Sequence, residues 1–176
     1  MKKVYIFLIL TFVYSEELND SLQINTSKWG GGVSFGACTD KAPIGIVDLS
    51  IIKYINNHSE IYGAYGTLIL SLNFGMGYRY YFNSRYESSF FIGTSLNAMI
   101  WGGGESTGGI RAVNLNFGRS IDVTDFFKTI TSKGKKVTSS FLNLGLVLSY
   151  SDDYSQSNSQ WKLMPLIAFE SRIPFK

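Results

Sequence analysis

Two stretches of the chain alternate strictly between two classes of side chain, and this alternation restricts the possible folds more than any other feature. From Leu72 to Asn83 the even positions are large and apolar, whereas most odd positions are Gly, Asn or Arg. Residues 142–150 repeat the pattern, with Leu and Tyr alternating with smaller residues. Because successive side chains of a strand point to opposite faces, both stretches predict strands with one apolar face and one small or polar face.

Six further segments show a weaker form of the same pattern: roughly 28–38, 43–55, 60–70, 87–101, 110–121 and 160–175. Together the eight segments predict an all-β fold, an antiparallel up-and-down transmembrane β-barrel of about eight strands. Strands of about ten residues are typical of tilted bilayer crossings, whereas most soluble strands have about five or six. Turn-forming residues separate the segments near 39–42, 56–59, 83–86, 102–109 and 151–159, with a poorer signal near 70–72.

Residue size favours a membrane barrel over a small soluble barrel, whose apolar faces would point inward. The second face of the predicted strands is rich in Gly, Ser and Asn, and charged residues make up only 16% of the chain. Small and amide side chains suit the narrow interior of an eight-stranded barrel, whereas a soluble outer surface normally carries Lys and Glu. We therefore expect the apolar faces to point outward to lipid.

Aromatic residues near the predicted strand ends support the same interpretation. Membrane barrels carry girdles of such residues where the bilayer meets water. The predicted interfacial aromatics are Trp29, Tyr54, Tyr62, Tyr80, Phe82, Trp101, Tyr150, Trp161 and Phe175.

The N-terminal residues predict export. Residues 1–15 have the pattern of a signal peptide, with Lys2 and Lys3 before an apolar run that is too short for a transmembrane anchor, the alternative interpretation. We expect a short periplasmic segment at 16–27 and the barrel domain at 28–176. Losing both lysines lowers the formal charge of +3 by two, which leaves no electrostatic argument for nucleic-acid binding. The lone Cys38 is expected to be a buried filler or a loop thiol.

One insertion interrupts the series of alternating segments between the sixth and the seventh predicted strands. Residues 122–136 predict a short helix with Asp122 or Thr124 as its cap and Gly134 at its end. Its basic tail, Lys133–Lys136, is interpreted as a solvated end of a helix packed under the barrel, the alternative being a site for a partner or a lipid headgroup.

The C-terminal segment, Phe169-Glu-Ser-Arg-Ile-Pro-Phe-Lys176, alternates apolar residues and nearly ends on an aromatic one. It resembles the last strand of outer-membrane β-barrel proteins in bacteria with two membranes. The resemblance implies an outer-membrane location, contact with outer-membrane lipids and recognition by the barrel-assembly machinery. It also implies that both termini, the turns near 56–59 and 83–86, and the insertion at 122–137 lie in the periplasm. We expect the protein to be a monomer.

Four charged residues share the strand face of the small residues and are predicted to point into the barrel: Asp48, Arg79, Glu170 and Arg172. We interpret them as a paired network that neutralises buried charge and plugs the lumen, the alternative being an ion-selective constriction. An eight-stranded barrel is normally too narrow for an aqueous channel.

The chain offers little for catalysis or for cofactors, with one Cys and one His. The segment from Asn56 to Glu60 places His58 beside Ser59 and a carboxylate, but neighbours on a turn are rarely aligned as a triad. We therefore expect no enzyme activity, no metal and no cofactor. The predicted function is a structural role in the envelope; a narrow pore, a carrier of small apolar ligands, and a lipid-modifying enzyme are the alternatives.

Overall fold

The computed structural model describes residues 28–38, 47–68, 71–103, 106–126, 139–153 and 158–175. The predicted signal peptide at 1–15, the segment 16–27 and the basic tail Lys133–Lys136 lie outside the described residues, as do the side chains of Cys38 and Trp101.

The described residues form eight β-strands, each antiparallel to the next, and β8 pairs with β1 to close a barrel. This confirms the predicted all-β class, the strand number and the up-and-down order. The strands are β1 Trp29–Cys38, β2 Val47–Tyr54, β3 Ser59–Leu68, β4 Ser71–Tyr81, β5 Ser89–Gly103, β6 Ser106–Asp122, β7 Ser139–Asp153 and β8 Asn158–Pro174.

The strands are strongly tilted, as their register shows. A row of paired residues that starts at Gly32 of β1 and crosses the other strands in order reaches Gln160 of β8. Gly32 itself pairs with Arg172, twelve residues further along β8. With about 3.3 Å per residue and about 4.8 Å between strands, this stagger corresponds to a tilt of about 45°.

The barrel has two different ends. We call the end where β1 begins and β8 finishes the lower end, and the opposite end the upper end. Residues 55–58 and 82–88 connect strands at the lower end, and the start of β7 at Ser139 lies there too.

Two predicted upper loops are wrong because most of their residues extend strands. Gly102 pairs with Thr107 in the segment predicted as a loop at 102–109, and Ser151 pairs with Gln160 in the segment 151–159. Glycine and polar residues made these segments look like turns, yet their backbones form the same ladder as apolar residues. The predicted loop near 70–72 is likewise shorter, because β4 already begins at Ser71.

The helix predicted between β6 and β7 begins within the described residues, where 124–126 are helical. Asp122 is the cap, since its Oδ1 accepts a hydrogen bond of 2.8 Å from the Thr124 amide. The Thr124 hydroxyl instead accepts one from the Ser140 amide at 2.9 Å. Residues 127–138, including Gly134, lie outside the described part. None of the helical segments that the structure describes is long and apolar enough to cross a membrane.

The two faces of the strands differ as predicted. Leu144, Leu146 and Leu148 of β7 are exposed on the outside of the barrel, whereas Asn143 and Val147 are fully buried inside. The interior is bulkier than the expected Gly, Ser and Asn, because aromatic rings also fill it. The buried aromatic residues of the described strands are Tyr62, Tyr81, Phe91 and Phe141.

Candidate functional site

The strand register gathers charged side chains inside the lower half of the barrel. Glu60 near the start of β3 pairs with Arg79 near the end of β4. Glu170 and Arg172 lie two residues apart on β8, so they share one face. All four side chains are at least 95% buried, and together with Tyr81 and Asn143 we call them the charge cluster.

Arg172 joins the two carboxylates of the cluster. Its Nε lies 2.9 Å from Oε1 of Glu170, and its Nη1 lies 3.0 Å from Oε2 of Glu60. Its Nη2 reaches the second oxygen of each, at 3.1 Å for Glu170 and 3.3 Å for Glu60. Both carboxylates are therefore bound in the bidentate manner that a planar guanidinium allows.

Arg79 contacts the same two carboxylates from the opposite wall. Its Nη1 lies 3.2 Å from Glu170 Oε2 and 3.4 Å from Glu60 Oε1. The same nitrogen donates to the Tyr81 hydroxyl at 2.7 Å, and that hydroxyl donates to Glu60 at 3.1 Å. Asn143 completes the set, because its amide donates to Glu170 Oε2 at 3.0 Å.

Aromatic rings shield the cluster. The Arg79 guanidinium lies 4.9 Å from the centre of the Phe91 ring, and that of Arg172 lies 5.0 Å from Phe141. These contacts place each cation against the negative face of a ring and keep water away. Exclusion of water strengthens every ion pair in the cluster but also makes any unpaired charge costly.

The structure thus brings three of the four predicted lumen charges, Arg79, Glu170 and Arg172, into direct contact. Asp48 is also completely buried on the inside of β2. It lies across β1 from Glu170, since Ser34 is in register with both residues.

Sequence reasoning missed Glu60 and Tyr81 as members of the cluster. Glu60 was the first residue of the predicted strand 60–70 and was considered only as the carboxylate beside His58, but it has the same parity as the buried Tyr62 and Ala64 of β3. Strand parity was therefore the signal that could have found it.

A second contact group lies at the lower end of the barrel. Arg85, from the β4–β5 connection, is buried and lies with its guanidinium 3.9 Å from the centre of the Tyr54 ring. It donates to the carbonyl of Asn56 at 2.8 Å and to the Tyr86 hydroxyl. The connection is therefore folded over the barrel end, below the charge cluster.

The residues around His58 do not form a triad. The His58 Nδ1 lies 3.1 Å from the backbone carbonyl oxygen of Tyr81, and the Ser59 hydroxyl lies 3.0 Å from that of Tyr78. Glu60 points into the lumen instead, where it belongs to the charge cluster.

Most predicted interfacial aromatics with described side chains lie on the outside of the barrel. The exposed ones are Trp29, Phe82, Tyr150, Trp161 and Phe175. Tyr80 is half-buried, and the centre of its ring lies 5.8 Å from that of Phe82.

For two of the predicted interfacial aromatics, Tyr54 and Tyr62, the prediction is wrong, because both rings face the interior of the barrel. Tyr54 packs against the buried Ile52, Tyr62 and Ala64, and Tyr62 itself is only 2% exposed. Both tyrosines have the inward parity of their strands, because they alternate with outward residues such as Ile51 and Lys53. Proximity to a strand end therefore does not establish that a ring faces outward.

Within the described residues, no group of three or more His, Cys, Asp or Glu side chains is arranged to hold a metal ion. Comparisons of the chain with protein-family models, with curated proteins and with solved structures gave no match.

Proposed function

We propose that the chain is an integral outer-membrane β-barrel protein with a non-enzymatic, structural role in the cell envelope. The observation that carries the proposal is the inverted distribution of side chains. Large apolar side chains are exposed on all eight described strands, whereas the carboxylates and guanidiniums of the charge cluster are buried inside. A soluble barrel of this size would hide the apolar residues and expose the charged ones.

Two charged residues mark the ends of an apolar band whose height suits a membrane barrel. On the outward face of β6, Arg111 and Arg119 enclose only Val113, Leu115 and Phe117. The two arginines are eight residues apart, which spans about 26 Å along the strand and about 19 Å along the axis at a tilt of about 45°. Both side chains can extend toward water, so this spacing fits the apolar band of about 25 Å in membrane barrels.

The closed lumen supports a structural role over a pore. The charge cluster contacts both walls of the lower half, and Arg85 with Tyr54 covers the lower end. An ion entering from below would have to displace buried, mutually paired charges, which is costly.

The resemblance of the C-terminal segment to outer-membrane barrels supports the orientation. In that arrangement the lower end, with the chain termini, faces the periplasm. The partners are outer-membrane lipids and, during biogenesis, the barrel-assembly machinery, and the protein acts as a monomer.

The proposal is tested by comparing two labelled positions on β6 in folded protein. An environment-sensitive fluorophore is attached to Leu115→Cys, in the middle of the apolar band, or to Asp122→Cys, at the lower end, each in a Cys38→Ala background. In phospholipid vesicles we expect a blue-shifted emission at 115 and a water-like emission at 122.

Cell fractionation supplies the second part of the test. The wild-type protein should stay in the outer-membrane fraction after carbonate extraction and migrate faster in SDS before heating than after. A soluble periplasmic protein, or the same water-like emission at both positions, would refute the proposal.

A further inference from the structure

A buried cation without a counter-ion lies at the lower end of the barrel. Arg85 is only 3% exposed, and no carboxylate of the described residues forms an ion pair with it; Glu87, two residues along, is exposed. Its terminal nitrogens donate to the Asn56 carbonyl and the Tyr86 hydroxyl, which are both neutral, and its Nε has no hydrogen-bond partner among the described residues. The Tyr54 ring at 3.9 Å offers only the weak negative potential of an aromatic face. Because a buried charge is costly without a counter-ion, Arg85 indicates that an anionic group lies nearby.

Two exposed lysines extend this positive charge along the lower rim. Lys28 immediately precedes β1, and its carbonyl accepts a hydrogen bond of 2.9 Å from the Tyr54 amide. Lys53 precedes Tyr54 on β2, and its Nζ lies 5.6 Å from the centre of the Trp29 ring. Neither lysine forms an ion pair with a described residue. We call Arg85, Lys28 and Lys53 the basic patch.

The chain carries an acidic segment just before this patch. Residues 16–27 contain no Lys or Arg but three carboxylates, those of Glu16, Glu17 and Asp20. The segment joins the barrel at Lys28, so its nearest carboxylate is eight positions away from the patch. Eight residues span up to about 26 Å when extended, which is long enough for the segment to turn back against the lower rim.

We propose that the acidic residues 16–20 bind the basic patch and supply the counter-charge of Arg85. A short tether keeps the effective concentration of the segment at the patch high. A carboxylate held beside a buried guanidinium is partly shielded from water, so their attraction exceeds that of an exposed pair. The proposal concerns the lower end alone and does not depend on whether lipid surrounds the barrel. Anionic lipid headgroups are the competing occupant of the patch.

Zero-length crosslinking tests the proposal. A carbodiimide joins a carboxylate to an amine, with loss of water, when the two groups are in contact. In folded protein in a neutral detergent, tryptic peptides should contain Lys53 joined to a carboxylate of residues 16–20. Lys162 is also exposed but lies near the upper end, so it should give about a tenth of that yield or less. In 1 M salt, where the screening length is about 3 Å, the Lys53 product should fall about fivefold or more.

Variants show whether the patch holds the segment. Arg85→Gln and Lys28→Gln each remove one charge of the patch but keep Lys53, so each should lower the yield of the Lys53 product about threefold or more. The matched control Arg119→Met removes an exposed arginine from β6, on the opposite wall, and should leave the yield unchanged. Gel mobility before and after heating verifies that each variant is folded.

The NMR signal of the Arg85 Nε–H reports on the same contact in the unaltered patch, so the test does not require Arg85→Gln to fold. It should shift when the three carboxylates of the segment are neutralised together, in the variant Glu16→Gln/Glu17→Gln/Asp20→Asn. The Nε–H signal of Arg172, which lies 2.9 Å from Glu170 in the charge cluster, should stay in place.

Four results would overturn the proposal. They are equal crosslinking of the segment to Lys53 and Lys162, crosslinking mainly to the basic tail Lys133–Lys136, an unchanged Arg85 signal, and equal yields in Lys28→Gln and the wild type. Loss of the Lys53 product when phosphatidylglycerol is added to the micelles would show instead that anionic lipid occupies the patch.

Discussion

Removing either partner of the Arg172–Glu60 pair should strongly destabilise the barrel. Two nitrogens of Arg172 contact the two oxygens of Glu60 at 3.0 and 3.3 Å, and both residues are buried. Arg172→Met leaves two carboxylates to share Arg79, and Glu60→Gln leaves an excess of positive charge. Loss of one partner from a buried ion pair costs about 3–5 kcal/mol, which we expect for each single variant.

The double variant should lose much less than the sum of the single losses. With both charges removed, Arg79 and Glu170 remain as a neutral pair at 3.2 Å. Directly contacting residues have coupling energies of about 0.5–3 kcal/mol, and the bidentate geometry of this pair places it at the upper end of that range. We therefore expect the double variant to be more stable than additivity predicts by about 2–3 kcal/mol.

Equilibrium unfolding in urea from lipid vesicles measures these free energies, provided that the four proteins share one m-value. The matched control is Arg119→Met, which removes an arginine from the outside of the same barrel. That residue is exposed and lies 5.4 Å from the centre of the Phe90 ring. Its loss should change the free energy of unfolding by less than about 1 kcal/mol. Additive losses for Arg172→Met and Glu60→Gln would refute the direct coupling of the two side chains.

Three further predictions concern the proposed lipid-facing surface, the interior packing and the lumen. Leu146→Arg, at an exposed position in the middle of β7, should cost about 2–4 kcal/mol in vesicles, whereas Ile173→Arg near the lower end should cost about 0–1; equal losses in urea unfolding would contradict the assigned membrane depth. Gly77→Ala should cost about 1–3 kcal/mol, because a Cβ there would lie 2.5 Å from both the Thr94 backbone oxygen and the Tyr62 hydroxyl. The matched variant Gly63→Ala, with nothing within 4 Å, should be neutral or stabilising, and a similar loss for both glycines would show that these two close contacts do not matter. Wild-type protein in planar bilayers should show no steady conductance, and regular channel openings would disprove that the charge cluster closes the lumen.

The strand faces could be predicted from the sequence because their period of two is a local property. Leu72, Phe74 and Met76 are exposed while Asn73 between them is buried, as the alternation requires. The same rule would have placed Tyr54 inside. Its position near a strand end was given more weight than its parity, and that was the error.

The upper hairpins could not be located from composition. Gly102 and Gly103 suggest a turn in any local analysis, yet they pair with Thr107 and Ser106. They lie beyond the last pairs with the neighbouring strands, Ser71–Trp101 and Ile110–Asp153, and continue the β5–β6 register that residues lower in the hairpin set. Likewise, which residues meet across the lumen depends on the stagger of the strands, so Glu60 and Arg172 could not be paired from spacing alone.

The glycines of the inner face explain how so narrow a barrel accommodates two arginines and several aromatic rings. A Cβ at Gly77 would lie 2.5 Å from both the Thr94 backbone oxygen and the Tyr62 hydroxyl, and one at Gly118 would lie 2.6 Å from the Leu144 backbone oxygen and 2.9 Å from the Phe91 ring. Both rings flank the guanidinium of Arg79. Glycine normally weakens a strand, but here it provides the space that holds the cation-binding rings in place. These two glycines and the charge cluster therefore depend on the same packing, and substitution of Gly77 or Gly118 should disturb Arg79 through the Tyr62 or Phe91 ring without contacting it.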